Sequence, residues 1–246
     1  MKRMKAWGVT DVGNVREQNQ DSYHTELLGK NTLLAVVCDG MGGARAGNVA
    51  SRLACEVFSE EVKRSLKAEM TPEEIEQMLR TALTLTNITV FEHSRLSEEF
   101  SGMGTTLVAA LAVGETVFVL NVGDSRAYRV DSDGISRVTT DHSLVELMVQ
   151  RGELTPEQAK NHPGKNLITR AVGTGPQVFA DVFRIAAQEG DCFLLCSDGL
   201  SNQMADQEIL FEVAHGADRS DCCQRLLEIA KDRGAPDNVT AVLLEL

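Results

Sequence analysis

Short apolar runs joined by two-residue turns restrict the fold of this chain more than any other sequence feature. Leu107–Val113 and residues 116–120 are two such runs, and only Gly114 and Glu115 separate them. A connection of two residues closes a hairpin, so these two strands must be antiparallel. Another turn is predicted at residues 131–134, and further β-like runs occur at residues 33–38, Cys192–Cys196 and residues 239–244.

Two helical patterns lie between the first two β regions. Residues 46–66 carry apolar side chains at near-helical spacing. The second pattern begins with Thr71 as the predicted N-cap, followed by Pro72 in the first turn and Glu74 at the capping-box position. Its predicted apolar stripe consists of Ile75, Met78, Leu79, Ala82 and Leu85.

The C-terminal third contains a further predicted pair of helices, at residues 206–215 and 220–233, the latter with Ser220 as its cap. Strands that pair with one another, with helix pairs between them along the chain, are typical of two sheets packed face to face with helices outside. The predicted fold is therefore α+β: a four-layer α/β/β/α sandwich of two mainly antiparallel sheets flanked by helix pairs, in a single domain over residues 1–246.

An insertion at about residues 143–166 interrupts the strand pattern. It is predicted to form two short helices, one at residues 144–151 and one beginning near Thr155. Two interpretations of this segment stay open at this point: a mobile flap beside a site, or an ordinary surface excursion.

Composition excludes several classes of protein. The chain has 24 Lys and Arg against 36 Asp and Glu, a net charge of −12, which disfavours binding to nucleic acid. No apolar run approaches the roughly 18 residues of a membrane span, and polar residues follow the basic residues 1–5 where a signal peptide needs an apolar region. A soluble, cytoplasmic protein is expected, with its six cysteines as buried small side chains.

Four aspartates, Asp39, Asp124, Asp198 and Asp237, share one local context. Each stands at the border of an apolar β run, beside Gly, Ser or Asn. Any one of them alone is typical of a turn. If these strand ends gather at one edge, however, the carboxylates cannot all ionise unless cations neutralise them. Oxygen ligands without Cys or His favour Mg²⁺ or Mn²⁺, and two such ions can activate a bridging water as a nucleophile.

Arg16 suggests the electrophile for such a nucleophile. It lies in the polar stretch of residues 13–21, and a guanidinium can form bidentate hydrogen bonds with phosphate oxygens. The glycine-rich stretch of residues 39–47 lets the backbone approach a ligand closely, and Gly40 could offer its carbonyl oxygen to a metal. No Gly-Lys-Ser/Thr closes this stretch, so a nucleotide P-loop is not expected.

Ordered motifs along nearly the whole chain resemble those of the metal-dependent serine/threonine protein phosphatases, the protein phosphatase 2C family, in its compact bacterial form. They are residues 13–21, DGMGG at 39–43, SGMGTT at 101–106, NVGDSR at 121–126, TDHS at 140–143, ITRAVG at 168–173, SDGL at 197–200 and DNVT at 237–240.

The resemblance implies a role for each matched position and two or three Mn²⁺ or Mg²⁺ ions. Asp39 would bridge two ions with help from the Gly40 carbonyl, and Asp198 and Asp237 would complete that site. Asp124 would hold a third ion together with Asp198. Arg16 would bind the substrate phosphate, while Asp21 and Asn238 would support the ligands from behind, and residues 143–166 would be the family's variable flap. The implied reaction is direct attack of a metal-bridging hydroxide on phosphoserine or phosphothreonine in proteins.

Two positions depart from the pattern of the family. Met41 stands where animal relatives carry a histidine that is often assigned as the general acid, and Gln20 stands where many relatives have an acidic residue. Water on the metal is then the first choice for the proton donor, with His142 or His162 as weaker candidates. A cognate serine/threonine kinase as partner and a monomeric state are also implied. The alternative functions are a catalytically inactive, phosphatase-like binding module and a structural protein whose aspartates are only turns.

Overall fold

The computed structural model describes residues 4–42, 46–216 and 218–246, so Gly43, Ala44 and Arg45 of the glycine-rich stretch lie outside the described residues. The strands are β1 (Lys5–Asp11), β2 (Asp21–Gly29), β3 (Thr32–Met41), β4 (Gly104–Thr105), β5 (Leu107–Val113), β6 (Thr116–Val122), β7 (Arg126–Asp131), β8 (Gly134–Arg137), β9 (Asp181–Ala186), β10 (Cys192–Cys196) and β11 (Val239–Glu245). The α-helices are α1 (Ala46–Ser65), α2 (Pro72–Ser94), α3 (Leu144–Gln150), α4 (Pro156–Lys160), α5 (Asp198–Ser201), α6 (Asp206–His215) and α7 (Cys222–Asp232).

The strands form two antiparallel sheets. One has the order β1-β11-β10-β7-β8, and the other has the order β2-β3-β5-β6-β9 with the short β4 paired to β3. The hairpin predicted from the two-residue turn is confirmed: β5 and β6 pair with Val113 opposite Thr116 and Leu107 opposite Val122. The turn predicted at residues 131–134 likewise joins β7 to β8.

Strand β3 shows why its apolar run is continuous rather than alternating with polar residues. Leu33, Ala35 and Val37 face the sheet that contains β10 and β11, and they belong to the same buried cluster as Phe193 and Val242 of that sheet. The residues between them on β3 face the opposite way and pack with α1 and α2. Because both faces of this part of the strand are covered, every position in residues 33–38 is apolar. A third cluster joins the outer face of the other sheet to α6 and α7, which confirms the four-layer sandwich.

Local capping signals are confirmed at α2. The Thr71 hydroxyl accepts a hydrogen bond from the Glu74 N–H at 3.2 Å, and the Glu74 carboxylate accepts one from the Thr71 N–H at 2.7 Å. The predicted stripe is wrong at Leu85, which is 38% exposed, because the buried face of α2 runs through Leu83 and Val90 instead. The predicted cap of the last helix is also wrong: residues 219–221 form a 3₁₀ turn, so α7 begins at Cys222 rather than after Ser220.

The insertion at residues 143–166 contains the two short helices expected there, α3 and α4. Its ends meet at the base, where Ser143 and Ile168 form an isolated β-bridge and the Leu144 N–H donates to the Leu167 carbonyl at 2.8 Å. No residue of α4 is buried. The insertion is therefore anchored at its two ends, while α4 lies on the surface.

Two expectations about the environment of the chain concern its helices and its cysteines. None of the helices in the described parts of the chain combines the length and the apolar character that crossing a bilayer requires. All six cysteines fall among the described residues, where each is buried and none forms a disulfide. The prediction of buried, unpaired thiols is confirmed.

Phe58 in α1 is fully buried between the helix and the sheet, so its removal tests this layer of the core. We expect Phe58→Ala to lower the free energy of unfolding by about 3–5 kcal/mol, because it leaves a cavity that the neighbouring layers cannot fill. Phe211→Ala is the matched control, since Phe211 is 61% exposed and its loss should cost less than about 1 kcal/mol. Urea unfolding of both variants measures these changes, and an equal loss of unfolding free energy in the two variants would contradict the placement of Phe58 in the core between α1 and the sheet.

Candidate active site

Seven of the predicted site residues meet in one cavity of about 510 Å³. They are Arg16, Asp39, Gly40, Asp124, Asp198, Asp237 and Asn238. Asp39 lies near the end of β3 and Asp124 just after β6, whereas Asp198 follows β10 and Asp237 precedes β11. The cavity is therefore built from strand ends of both sheets, which the buried layers hold in fixed positions.

Two glycines permit the close approach of the loop that carries Arg16 and of helix α5, which begins at Asp198. At Gly13, which has a φ of +77°, a Cβ would lie 2.2 Å from the Asp237 carbonyl oxygen. At Gly199 a Cβ would lie 1.9 Å from the Asn238 carbonyl oxygen. Any side chain at either position would push its segment away from the start of β11.

Asn238 holds the loop around Arg16 in place. Its side-chain N–H groups donate to the carbonyls of Val12 at 2.9 Å and Gln18 at 3.0 Å, and its Oδ1 accepts from the Gln20 N–H at 2.8 Å. Asn238 is 5% exposed, so these bonds are shielded from water. The amide therefore fixes the backbone on both sides of Arg16.

Thr106, which the sequence analysis did not single out, connects two of the carboxylate-bearing segments. Its Oγ1 accepts from the Asp39 N–H at 2.9 Å and lies 2.7 Å from the Ser125 hydroxyl, next to Asp124. The Thr106 N–H in turn donates to the Asp39 carbonyl at 2.8 Å. The available signal was its place in SGMGTT, directly before the apolar run of β5.

Asp21 lies behind the cavity wall and is 7% exposed. Its Oδ2 accepts hydrogen bonds from the hydroxyls of Ser197 and Thr240, both at 2.7 Å, and among the described residues its Oδ1 has no hydrogen-bond partner. Burial raises the pKa of this carboxyl to about 7 although the two hydroxyls lower it, and the negative charges of Asp198 and Asp237 raise it further.

Burial and mutual repulsion act on the carboxyls in the cavity as well. Burial raises the pKa of Asp39 well above its usual range, and the charges of Asp21, Asp198, Asp124 and Asp237 add to the rise. Burial followed by the charge of Asp198 raises the pKa of Asp124 to about 7. The pKa of Asp198 is raised by burial and by Asp237, against the effect of its hydrogen bond with Asp39. Without a cation, this cluster therefore retains protons at neutral pH.

Arg16 supplies positive charge at the mouth of the cavity. Its Nη2 donates to Asp237 Oδ2 at 2.7 Å, and this pairing raises the pKa of the guanidinium. The Arg16 side chain is 55% exposed, so it can also face a ligand that enters from solvent.

The donor set fits a hard divalent cation. The predicted ligands offer carboxylate oxygens and the carbonyl of Gly40, and the excess of buried negative charge is what a cation would neutralise. As the side chains stand, no three His, Cys, Asp or Glu residues in the described ranges are arranged to hold an ion. Asp39 and Asp198 are instead hydrogen-bonded to each other, and Arg16 engages Asp237. The carboxylates would have to turn from these partners toward the metal.

Neither histidine proposed as a weaker proton donor lines the cavity, which contains Met41. His142 is 6% exposed, and its ring lies between the Gly123 N–H and the Asp181 carboxylate. His162 accepts a hydrogen bond from the Gly164 N–H at 3.0 Å, within the insertion. The structure therefore does not support either ring as the general acid, because each is engaged away from the cavity.

Comparison with known proteins identifies the family. The family model described as protein phosphatase 2C matches residues 14–243, and the chain belongs to this family, as its motifs led us to expect. A serine/threonine phosphatase of Listeria welshimeri is 37% identical over 236 residues, which cover 96% of this chain and 93% of that protein.

Solved structures agree with this assignment. The serine/threonine phosphatase Stp1 from Staphylococcus aureus has a TM-score of 0.93 at 35% identity, with 100% of this chain and 96% of that chain covered. The catalytic domain of the phosphatase PstP, crystallised with two manganese ions, has a TM-score of 0.85 at 31% identity, with 99% and 98% covered. The predicted α+β architecture is shared with these enzymes.

The raised pKa values of Asp21 and Asp124 predict how the metal-free protein responds to pH. Both are about 7 in the folded state against about 3.9 in an unfolded chain, so between these limits the unfolded state binds fewer protons. We therefore expect the free energy of unfolding to fall as the pH rises from 5 to 8, by more than the roughly 1.4 kcal/mol that one pKa unit represents.

Urea unfolding of chelator-treated protein across this pH range measures the effect. Asp39→Asn should make the fall smaller, because it removes one of the mutually repelling carboxyls. Asp133→Asn, the same change at an exposed turn residue, should keep the wild-type slope. Stability that increases toward pH 8 in the metal-free protein would contradict the electrostatic description of the cavity.

Proposed function

We propose that this protein is an active, metal-dependent phosphatase that hydrolyses phosphoserine and phosphothreonine in proteins. The observation that carries the proposal is the meeting of Asp39, Asp124, Asp198 and Asp237 with Arg16 in one cavity. Buried carboxylates bind hard cations, and a guanidinium binds phosphate, so the pairing suits a phosphate monoester. The relatives whose names are given above are serine/threonine phosphatases, which supports the same reaction.

Two or three Mn²⁺ or Mg²⁺ ions are proposed as the cofactors. Asp39 would be shared between two ions, with the Gly40 carbonyl, Asp198 and Asp237 as further ligands, and Asp124 with Asp198 would hold a third. When bound, such ions neutralise the substrate phosphate and activate water for attack on phosphorus. The manganese in the PstP catalytic domain supports this choice of metal.

Arg16 is proposed to orient the phosphate. Its single described ion pair, to Asp237, uses one of five N–H donors, and more than half of the side chain is exposed. A cation on Asp237 would compete with Arg16 for that carboxylate, which would release the guanidinium for phosphate oxygens. Asn238 would preserve the loop geometry during this exchange, and Asp21 would hold Ser197 beside Asp198 through its hydrogen bond.

Proton delivery to the leaving serine or threonine oxygen is proposed to come from water in the cavity. Met41 has no proton to donate, and no histidine of the described residues lines the cavity. This assignment replaces His142 and His162, whose rings are engaged elsewhere.

The remaining functional proposals concern the setting of the enzyme. We propose a monomeric, cytoplasmic protein of one catalytic domain, which acts on phosphoproteins and opposes a serine/threonine kinase. Residues 143–166 are proposed as a flap. Ser143 pairs with Ile168 where the two ends of the insertion meet, and both Asn166 and Ile168 line the cavity. The net charge of −12 repels acidic substrates at long range, so Arg16 and bound cations would provide the local attraction.

The alternative of an inactive binding module has no support in the site. An inactive relative would be expected to lack one or more of the four aspartates, and all of them are present and line the same cavity. The alternative that these residues are only structural turns predicts no tight Mn²⁺ binding.

Asp198→Asn tests the metal-dependent reaction. We expect phosphate release from phosphothreonine and phosphoserine peptides to require Mn²⁺ and to be lost in this variant, because Asn cannot supply the charge that holds the cation. Asp133→Asn should keep wild-type activity, and phosphotyrosine peptides should be poor substrates. Full activity of Asp198→Asn, or activity that persists in EDTA, would refute the proposal.

Arg16→Ala tests phosphate recognition. Charge-assisted hydrogen bonds contribute about 1.5–3 kcal/mol, so we expect kcat/KM for a phosphothreonine peptide to fall by about 10- to 100-fold. Mn²⁺ binding, measured by calorimetry, should not weaken. Arg16→Lys, which keeps the charge but loses the paired geometry, should recover only part of the loss. An unchanged kcat/KM in Arg16→Ala would remove Arg16 from the proposed mechanism.

A further inference from the structure

The turn that carries Asp124 joins β6 to β7 and is not itself part of a β-strand. Strand β6 ends at Val122 and β7 begins at Arg126, and Gly123 has a φ of +108°. Ser125 contacts Thr106 on one side of the turn. On the other side, His142 binds both backbone groups of Gly123, the residue that directly precedes Asp124.

His142 makes these two bonds with different parts of the residue. Its backbone N–H donates to the Gly123 carbonyl at 2.9 Å, and its ring Nδ1 accepts from the Gly123 N–H at 3.1 Å. The His142 carbonyl accepts from the Thr169 N–H at 2.7 Å, which ties the same residue to the base of the insertion. The backbone at residue 123 is thus held at both groups by the buried His142, and the Asn121 Nδ2 adds a longer bond of 3.3 Å to the Gly123 carbonyl.

The hydrogen bonds also determine the tautomer of the ring. The Gly123 N–H can only donate, so Nδ1 must be unprotonated, and the proton of the neutral ring lies on Nε2. Nε2–H then donates to Asp181 Oδ2 at 3.1 Å. Arg170 Nη1 donates to the other Asp181 oxygen at 3.0 Å and lies 3.1 Å from Nε2, to which it cannot donate while that nitrogen carries the proton. The ring therefore has a fixed orientation with both nitrogens occupied.

We propose that His142 is a positioning residue that locks the Gly123 backbone and so aims the Asp124 carboxylate at the cation it is proposed to hold. The inference rests on the proposed function for the role of Asp124, but the lock itself is a property of the metal-free protein. It follows from two hydrogen bonds to a residue adjacent to Asp124, from a ring that is nearly fully buried, and from an orientation set by Asp181. Groups that orient metal ligands in this manner typically change metal affinity about 10- to 100-fold when removed.

Three substitutions separate the ring contacts. In His142→Asn, Oδ1 can take the place of Nδ1 and accept from Gly123, while the bond to Asp181 is lost. In His142→Gln, the terminal amide reaches the position of Nε2 and can donate to Asp181, but nothing accepts from Gly123. His142→Leu removes both contacts. His162→Leu is the matched control, because it removes the same kind of Nδ1 bond to a glycine N–H within the insertion.

Two measurements are needed, and the first is independent of metal and activity. Hydrogen exchange of the Gly123 amide in the metal-free protein should be slow in wild type and in His142→Asn, and fast in His142→Gln and His142→Leu. Mn²⁺ titration by calorimetry should then show the class of sites that Asp124→Asn impairs about 10- to 100-fold weaker in the Gln and Leu variants, close to wild type in the Asn variant, and unchanged in His162→Leu. Asp124→Asn should show the same loss as the Gln and Leu variants.

The outcomes distinguish the positioning role of His142 from the metal-binding role proposed for Asp124. The inference is overturned if His142→Gln keeps a protected Gly123 amide and wild-type Mn²⁺ binding, or if folded His142→Asn is as impaired as His142→Gln. If His142→Leu fails to fold, the comparison of the Asn and Gln variants still decides. If Asp124→Asn binds Mn²⁺ as wild type does, the metal role proposed for Asp124 fails, whereas the exchange data continue to report on the lock.

Discussion

Repulsion among carboxyl groups held together by the fold is the interaction on which the rest of this structure depends. Asp39, Asp124, Asp198 and Asp237 come from strand ends in both sheets, are half-buried, and share one cavity. Separated aspartates would ionise freely, but burial and the charges of neighbouring carboxylates raise the pKa values of Asp39 and Asp198. The layers of buried side chains must offset this unfavourable energy, and a divalent cation is the natural means of relieving it.

Hydroxyl and amide groups around the cavity hold the repelling carboxylates in a defined arrangement. Thr106 links the Asp39 backbone to the turn before β7, Asn238 encloses the Arg16 loop, and Ser197 and Thr240 share one oxygen of Asp21. These bonds are buried or partly buried, and hydrogen bonds shielded from water are strong and costly to lose. They fix the backbone from which each carboxylate projects, while the carboxylates themselves remain able to turn between Arg16, one another and a cation.

Local features of the fold were predictable because they depend on neighbouring residues. The hairpin of β5 and β6 follows from a two-residue turn, and the capping box of α2 follows from Thr71 and Glu74. The error at Leu85 arose where tertiary contacts decide, because Leu85 has helical spacing but lies outside the face that packs on the sheet. The error at Ser220 is local: the Asp218 carboxylate accepts from the Ser220 N–H at 2.9 Å, and the 3₁₀ turn that follows displaces the start of α7. Which apolar positions of a helix are buried depends on its partner, and a single sequence does not contain that information.

The sequence by itself determined the chemical types in the site: an all-oxygen set of acidic residues at strand ends, one guanidinium, and glycines where loops must approach closely. Only the tertiary structure decided which of these groups meet, because Arg16 and Asp237, for example, are 221 positions apart and come together through the packing of two sheets. It also turned His142 away from acid catalysis and toward the backbone before Asp124. The type of a side chain determines whether it can donate or accept a proton, but its hydrogen-bond partners and its burial determine whether it does so in the folded protein.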